Sequence, residues 1–273
     1  MGDDGKLRIW NEQGTLQRVI ECGPKGLYSV AWNTDGTRLV TGGFDHVVRF
    51  WNTPGSAGPV SVGHADCVTG VAWSPNGKLV ASSSFDGTVR LWNASDGSRA
   101  RLLTGHKSRV WSVAFSPDSL RLVSGSDDTT VRNWSVTTND VQILTGHTEA
   151  VGSVAWSDNG KWIASGANDG TVRLWTVDGG EGPVYQSETD VVWTVEFAPG
   201  SDQFVSGGRD RSLRFWNVSG TGAGTISGMT NHIDTVDWSA KSDMIAAGCD
   251  DGSIRLLKAD GKPDRRLNMQ LGP

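Results

Sequence analysis

Short apolar strings of four to six residues recur along the chain, each broken by a Gly-, Asp- or Asn-bearing turn, and none approaches the length of a helix or a membrane span. Val68-Thr69-Gly70-Val71-Ala72-Trp73 is followed by the turn Ser74-Pro75-Asn76-Gly77, then Leu79-Val80-Ala81-Ser82, then Phe85-Asp86-Gly87, then Thr88-Val89-Arg90-Leu91-Trp92. This pattern predicts three short strands joined by tight turns, with Gly where positive φ is needed and Asp or Asn where a side chain can bond the local backbone. Alternation of Val89 and Leu91 against Arg90 puts one side of the last strand inward. A fourth, weaker strand follows each unit, as in Val141-Gln142-Ile143-Leu144. The units keep one period. Trp10, Trp51, Trp92, Trp134, Trp175 and Trp216, with Leu257 in the same slot, are spaced by 41, 41, 42, 41, 41 and 41 residues.

Composition narrows the field. Charged residues make up 20%, hydrophobic residues 37%, and there are 36 Gly, which excludes a coiled coil and a charged disordered chain. A net charge of −5 argues against nucleic acid, whose phosphates call for concentrated Lys and Arg, and no apolar run suits a membrane. Cys22, Cys67 and Cys249 are far apart and Asp3-Asp4 is acidic where a signal peptide is basic, so a reducing cytoplasm is expected. The excess of 13 Trp over 2 Tyr remains to be explained.

Gly63-His64, Gly105-His106 and Gly146-His147, each followed by an apolar strand and an Asp-turn-Trp ending, resemble the WD-repeat β-propeller family over nearly the whole chain. No unit ends in the Trp-Asp pair itself: Asn11, Asn52, Asn93 and Asn217 stand there, with Ser135 and Thr176 in two others. Asn serves the turn as well as Asp. The resemblance implies an all-β propeller of four-stranded blades in one domain over residues 1–273, cut from a longer propeller or multidomain protein. Lettering the strands a to d from the inside outward, the chain supplies seven c, seven d, six a and six b strands, because Lys6–Trp10 is already a c strand. A seven-blade geometry with one outer half blade is therefore expected over a closed six-blade ring in which residues 15–20 would supply the last d strand. The strand-a aromatics Trp32, Trp73, Phe115, Trp156, Phe197 and Trp238 are expected to fill the gaps between blades.

Ser, His and Asp recur together as His64, Ser82, Asp86 and Trp92; His106, Ser124, Asp128 and Trp134; and His147, Ser165, Asp169 and Trp175. Three copies at one period argue for a scaffold rather than a nucleophile, which needs one exposed, strained site. The resemblance implies a buried relay from Trp through Ser and His to Asp, and blades two to four as the stiffest. Gly23, Glu188 and Met229 fill the His slot in the other units. There is no phosphate loop and no H-E-x-x-H; Gly42-Gly43 and Gly207-Gly208 read as strand residues. His46 and His232 have no second His or Cys at ligand spacing, so no metal and no cofactor are expected.

With the scaffold subtracted, Trp111 and Trp193 are left over at the start of strand a, where Tyr28 holds the matching place. The resemblance implies that this position, the one two residues before it and the residue before the turn Asp face the rim of a central channel. Those residues are Tyr28, Phe44, Thr69, Phe85, Arg109, Trp111, Asp127, Asn168, Trp193, Arg209, His232, Asp234 and Asp250. Arg109 and Trp111, two apart on one strand, point the same way if alternation holds. Aromatic and Arg residues favour a partner-binding surface for a protein or peptide, and no catalytic residue is assigned. Two alternatives stay open: a propeller hydrolase or lyase, for which His232, Asp234 and Asp250 come nearest, and a purely architectural repeat.

Overall fold

A computed structural model describes residues 4–11, 13–53, 55–187, 191–239 and 244–258, and residues 263–268 as backbone. The described residues form twenty-six strands. The outer half blade is β1 (Lys6–Trp10) and β2 (Leu16–Glu21). Blade one is β3 (Leu27–Trp32), β4 (Arg38–Gly43), β5 (Val47–Asn52) and β6 (Ser56–Val62). Blade two is β7 (Val68–Trp73), β8 (Leu79–Ser84), β9 (Val89–Asn93) and β10 (Arg99–Leu103). Blade three is β11 (Val110–Phe115), β12 (Arg121–Ser126), β13 (Val131–Ser135) and β14 (Val141–Leu144). Blade four is β15 (Val151–Trp156), β16 (Trp162–Ala167), β17 (Thr171–Thr176) and β18 (Glu181–Gln186). Blade five is β19 (Val192–Phe197), β20 (Gln203–Gly208), β21 (Leu213–Asn217) and β22 (Gly222–Ile226). Blade six is β23 (Ile233–Trp238), β24 (Met244–Cys249), β25 (Ser253–Lys258) and β26 (Pro263–Asn268).

Each blade is an antiparallel meander in sequence order, and β1 and β2 form a two-stranded sheet. Leu7 pairs with Ile20, while Ile254 pairs with Leu267. Blade six thus takes its outer strand from its own end of the chain, and β2 stays with β1. Asp3 and Glu188 lie outside the described residues; Asp4 accepts the Lys6 N–H at 3.1 Å and so keeps the b-to-c turn.

The chain forms two compact units, 1–128 with 132–141, and 129–131 with 142–273. In the first, Leu7 and Ile20 of the half blade pack on Leu39 and Trp51; Phe50 and Val48 of blade one pack on Val71 and Trp73; Leu91 and Val89 of blade two pack on Val113 and Phe115. In the second, Ala164 and Leu174 of blade four meet Val195 and Phe197, and Val205 and Phe215 of blade five meet Val236 and Ile245. Neither face of a blade can be left to water, so within each unit one sheet is the lid of the next.

Among the strand-a aromatics, Trp73, Phe115, Trp156 and Phe197 are buried, whereas Trp32 is 48% exposed. The sheet before it holds two strands, β1 and β2, among the described residues, where the other blades hold four. The polar side of strand c also differs from simple alternation, because Arg90 and Arg132 are buried rather than solvated. Their guanidinium groups fill the space beside the Gly-His segment: a Cβ on Gly63, Gly105 or Gly146 would come within 2.6, 2.5 and 2.8 Å of the Nη1 of Arg90, Arg132 and Arg173. Glycine precedes the histidine because that arginine needs its place.

The relay geometry is uniform in three blades. The Trp92 indole N–H donates to Ser82 Oγ at 2.8 Å, Ser82 Oγ lies 2.7 Å from His64 Nε2, and His64 Nδ1 lies 2.8 Å from Asp86 Oδ2. Blade three has 2.8, 2.7 and 2.9 Å from Trp134 to Asp128, and blade four has 2.9, 2.8 and 2.9 Å from Trp175 to Asp169. Since the indole can only donate, Ser donates its proton to Nε2, and the neutral imidazole then donates from Nδ1 to the carboxylate. Burial holds all three histidines below their ordinary pKa, against the raising effect of their aspartates. Burial opposes ionisation of Asp86, yet hydrogen bonds from His64, Thr88 and the Ala65 N–H hold its carboxyl well below the usual range.

In the half blade and in blades one and five the same arginine position takes over. Arg8 meets Asp4 and Arg49 meets Asp45, each at 2.6 Å, and Arg214 pairs with Asp210. The tryptophans there are still satisfied, Trp51 by Thr41 and Trp216 by Ser206, at 2.9 and 2.8 Å.

Position-specific departures carry energetic consequences. Glu196 and Asp237 stand where strand a of blades one to four has Ala31, Ala72, Ala114 and Ala155. Burial, reinforced by Asp237 and Asp158, pushes the Glu196 carboxyl up to about 8. The folded state then holds a proton that the unfolded chain releases near pH 4.3, so stability is lost as pH rises from there through about 8. Glu196→Ala is expected to raise the urea midpoint at pH 8 and to flatten this part of the pH profile; an unchanged slope would show that the carboxyl titrates as if exposed. Asp128→Ala strands the His106 N–H and the Lys107 N–H, and is expected to lower unfolding free energy by about 1–3 kcal/mol in urea denaturation at pH 7. In the wild type the relay histidines, depressed in the fold, lose stability as pH falls below about 6.5.

Candidate interaction surface

Each strand a begins with the same irregularity. The register of β3 with β4 shifts between Leu27 and Ser29, of β7 with β8 between Val68 and Gly70, and of β11 with β12 between Val110 and Ser112. In the second unit the shifts fall between Val151 and Ser153, Val192 and Thr194, and Ile233 and Thr235. The residue skipped in each case is Tyr28, Thr69, Trp111, Gly152, Trp193 or Asp234. A bulge leaves one residue unpaired and re-aims its side chain, so this position is freed from sheet packing in every blade.

A repeated backbone bond sets the second and third positions. The N–H of Phe44, Phe85 and Asp127 donates to the carbonyl of Gly26, Cys67 and Arg109, at 3.0, 3.1 and 3.0 Å. In the second unit, Asn168, Arg209 and Asp250 donate likewise to Ala150, Val191 and His232 at 2.8, 3.2 and 3.1 Å. The b-to-c turn is thereby clamped against the residue that precedes strand a, and the bulged residue emerges between them.

In the first unit these positions make one continuous cluster. The Tyr28 ring lies 4.5 Å from Phe44 and 5.8 Å from Phe85, between centroids, and Phe85 lies 4.7 Å from Trp111 with the planes at 77°. The Arg109 guanidinium sits 4.8 Å from the Phe85 centroid, and the Trp111 indole N–H donates to Asp127 Oδ1 at 2.6 Å. Arg109 and Phe44 are exposed, and Tyr28, Phe85, Trp111 and Asp127 are partly so. Arg109 precedes β11 and Trp111 is the bulged residue, so strand alternation does not orient them. They converge because both lean on Phe85. Thr69 departs from the set: it is buried, and its hydroxyl donates to the Val110 carbonyl at 2.6 Å and pairs with Ser83 Oγ at 3.0 Å. A short hydroxyl at the bulge turns back to neighbouring strands, where an aromatic ring has to leave them.

The second unit assembles a smaller group. The Trp193 ring lies 5.5 Å from His232 at 69°. Burial, with repulsion from Asp250 second, pushes the Asp234 carboxyl up to about 6. Asn168 and Arg209 are exposed in their turns.

The arginine two residues before each strand-c Trp, and before Leu257 in the same slot, is a structural position that alternation alone leaves on the solvent side; its recurrence as Arg8, Arg49, Arg90, Arg132, Arg173, Arg214 and Arg255 is the available signal. No helix of the described residues is long and apolar enough to cross a membrane. Comparison with known families gives two matches: a family described as IFT122 first beta-propeller matches residues 55–270, and one described as WD domain, G-beta repeat, matches residues 14–52. A search of curated proteins finds no match. With repeat, strand order and family match covering the same blades, the chain belongs to the IFT122 first beta-propeller family, a WD-repeat propeller.

Proposed function

We propose that this chain is a non-catalytic interaction module that binds an extended acidic peptide or the acidic loop of a partner protein through Tyr28, Phe44, Phe85, Arg109 and Trp111. Propellers of this kind generally mediate protein–protein interactions, which supports a protein or peptide as the partner. The observation that carries the reading is the unbroken run of four rings with Arg109 laid on Phe85. Nothing in blade packing asks for large aromatic side chains at a bulge, since Gly152 and Thr69 occupy it elsewhere. Rings held by their neighbours lose little entropy on binding, and an exposed guanidinium stacked on a ring keeps its N–H edge for a carboxylate. Trp111 is fixed by Asp127, so the wall is formed before a ligand arrives.

The relays do not compete with this reading as catalysts. Each serine donates to a histidine that is itself buried, in three blades alike, and the scaffold uses all of those donors.

A peptide display library that holds acidic and basic extended segments, panned on the whole chain, is expected to return acidic sequences with an apolar anchor. Arg109→Ala with Trp111→Ala is expected to weaken the selected peptide by about 2–4 kcal/mol in calorimetry, with the urea midpoint little changed. Enrichment of basic peptides, or full affinity in the double variant, would move the working surface elsewhere.

A further inference from the structure

Beside the aromatic cluster the fold gathers three donors that the sequence scatters. His46 lies in the b-to-c turn of blade one, and Asp66 and Cys67 precede strand a of blade two. One ligand atom from each lies within 4.8 Å of the other two. Among the described residues, this is the one group of three such donors so placed. Sequence spacing pairs His46 with no second ligand, because the contact is made between neighbouring blades.

We propose that His46, Asp66 and Cys67 bind a zinc ion. The set holds one imidazole nitrogen, one carboxylate oxygen and one sulfur, the mixture that suits zinc and disfavours calcium or magnesium, which take oxygen ligands. Zinc bonds of about 2.0–2.3 Å place tetrahedral ligands roughly 3.3–3.8 Å apart, so donors within 4.8 Å of each other close on the ion by small side-chain rotations. The site is graded from inside outward: Cys67 is buried, His46 partly covered and Asp66 exposed, which leaves a solvent path for entry.

The local backbone prepares it. His46 has φ of 67°, the left-handed turn position held by Gly87, Gly170 and Gly252 in three other blades. Asp66 Oδ1 accepts the Cys67 N–H at 2.7 Å, which orients the carboxylate. The Cys67 thiol gives up its proton as the Zn–S bond forms.

Three protein ligands leave a fourth position to water or to a donor from a bound partner. The Cys67 carbonyl accepts the Phe85 N–H, and Phe44 stands two residues before His46, so the ion would pin both aromatic residues from behind. The proposal does not depend on what binds those rings.

The test uses the untagged, chelator-stripped full chain titrated with Zn²⁺ in a calorimeter and with Co²⁺ in an absorption cell. One equivalent of Zn²⁺ is expected to bind, and Co²⁺ is expected to show thiolate-to-metal charge transfer. His46→Gly, which installs the residue other blades carry at this turn, and Cys67→Ser are each expected to weaken Zn²⁺ by at least about tenfold, the loss that even an outer-shell change produces. Cys22→Ser and Cys249→Ser are expected to bind as wild type. The assignment is overturned if the wild type takes up no Zn²⁺, if His46→Gly binds it with undiminished affinity, or if the Co²⁺ complex lacks the thiolate band.

Discussion

The bond between an indole N–H in strand c and a hydroxyl in strand b, 2.8–2.9 Å long in blades two to four, is the contact on which the rest of each blade depends. It buries a large side chain while meeting that side chain's single polar demand. The serine it reaches must pass a proton on, the histidine must receive it, and an aspartate in the next turn must close the chain. A polar network of this kind stabilises when every member is satisfied and costs stability when one is missing. The relay therefore ties strands b and c, their connecting turn and the segment before strand a into one piece.

From that tie follows the geometry of the presented surface. Asp86 accepts the Ala65 N–H, and Asp128 the Lys107 N–H, so the aspartate that ends the relay also anchors the segment leading into strand a. The residue before that aspartate, Phe85 or Asp127, is bonded to the carbonyl of Cys67 or Arg109. Between the two clamps the chain is one residue too long for the sheet, and the excess residue bulges out. Trp111 is a bulge residue because the scaffold on both sides of it is held. Blade one reaches the same arrangement with Arg49 on Asp45 in place of the histidine, so Tyr28 and Phe44 meet Phe85 although their own blade lacks a full relay.

Much of this was legible in the chain. A 41-residue spacing of Trp with constant turn residues defines strand number and order, and the early position of Lys6–Trp10 already implies the half blade. Repeated His, Ser and Asp mark the relay. What the chain did not disclose depends on neighbours. Burial of Arg90 comes from the missing side chain at Gly63, a relation across a sheet rather than along it. The bulges at Trp111 and Trp193 come from register, which composition does not encode. Trp32 looks like Trp73 in sequence, yet it is exposed where Trp73 is buried. His46 and Cys67 meet because two turns from adjacent blades lie side by side.

Hydrogen exchange of the indole N–H groups, followed by nuclear magnetic resonance on the native chain, tests the central role of the relay most directly. Trp92, Trp134 and Trp175 donate into full relays, whereas Trp51 and Trp216 donate to a hydroxyl with no histidine behind it. The first three are predicted to exchange most slowly, at the rate of global unfolding, and the other two through smaller local openings. Equal or slower exchange at Trp51 and Trp216 would contradict the account, since the bond to the hydroxyl alone would then suffice.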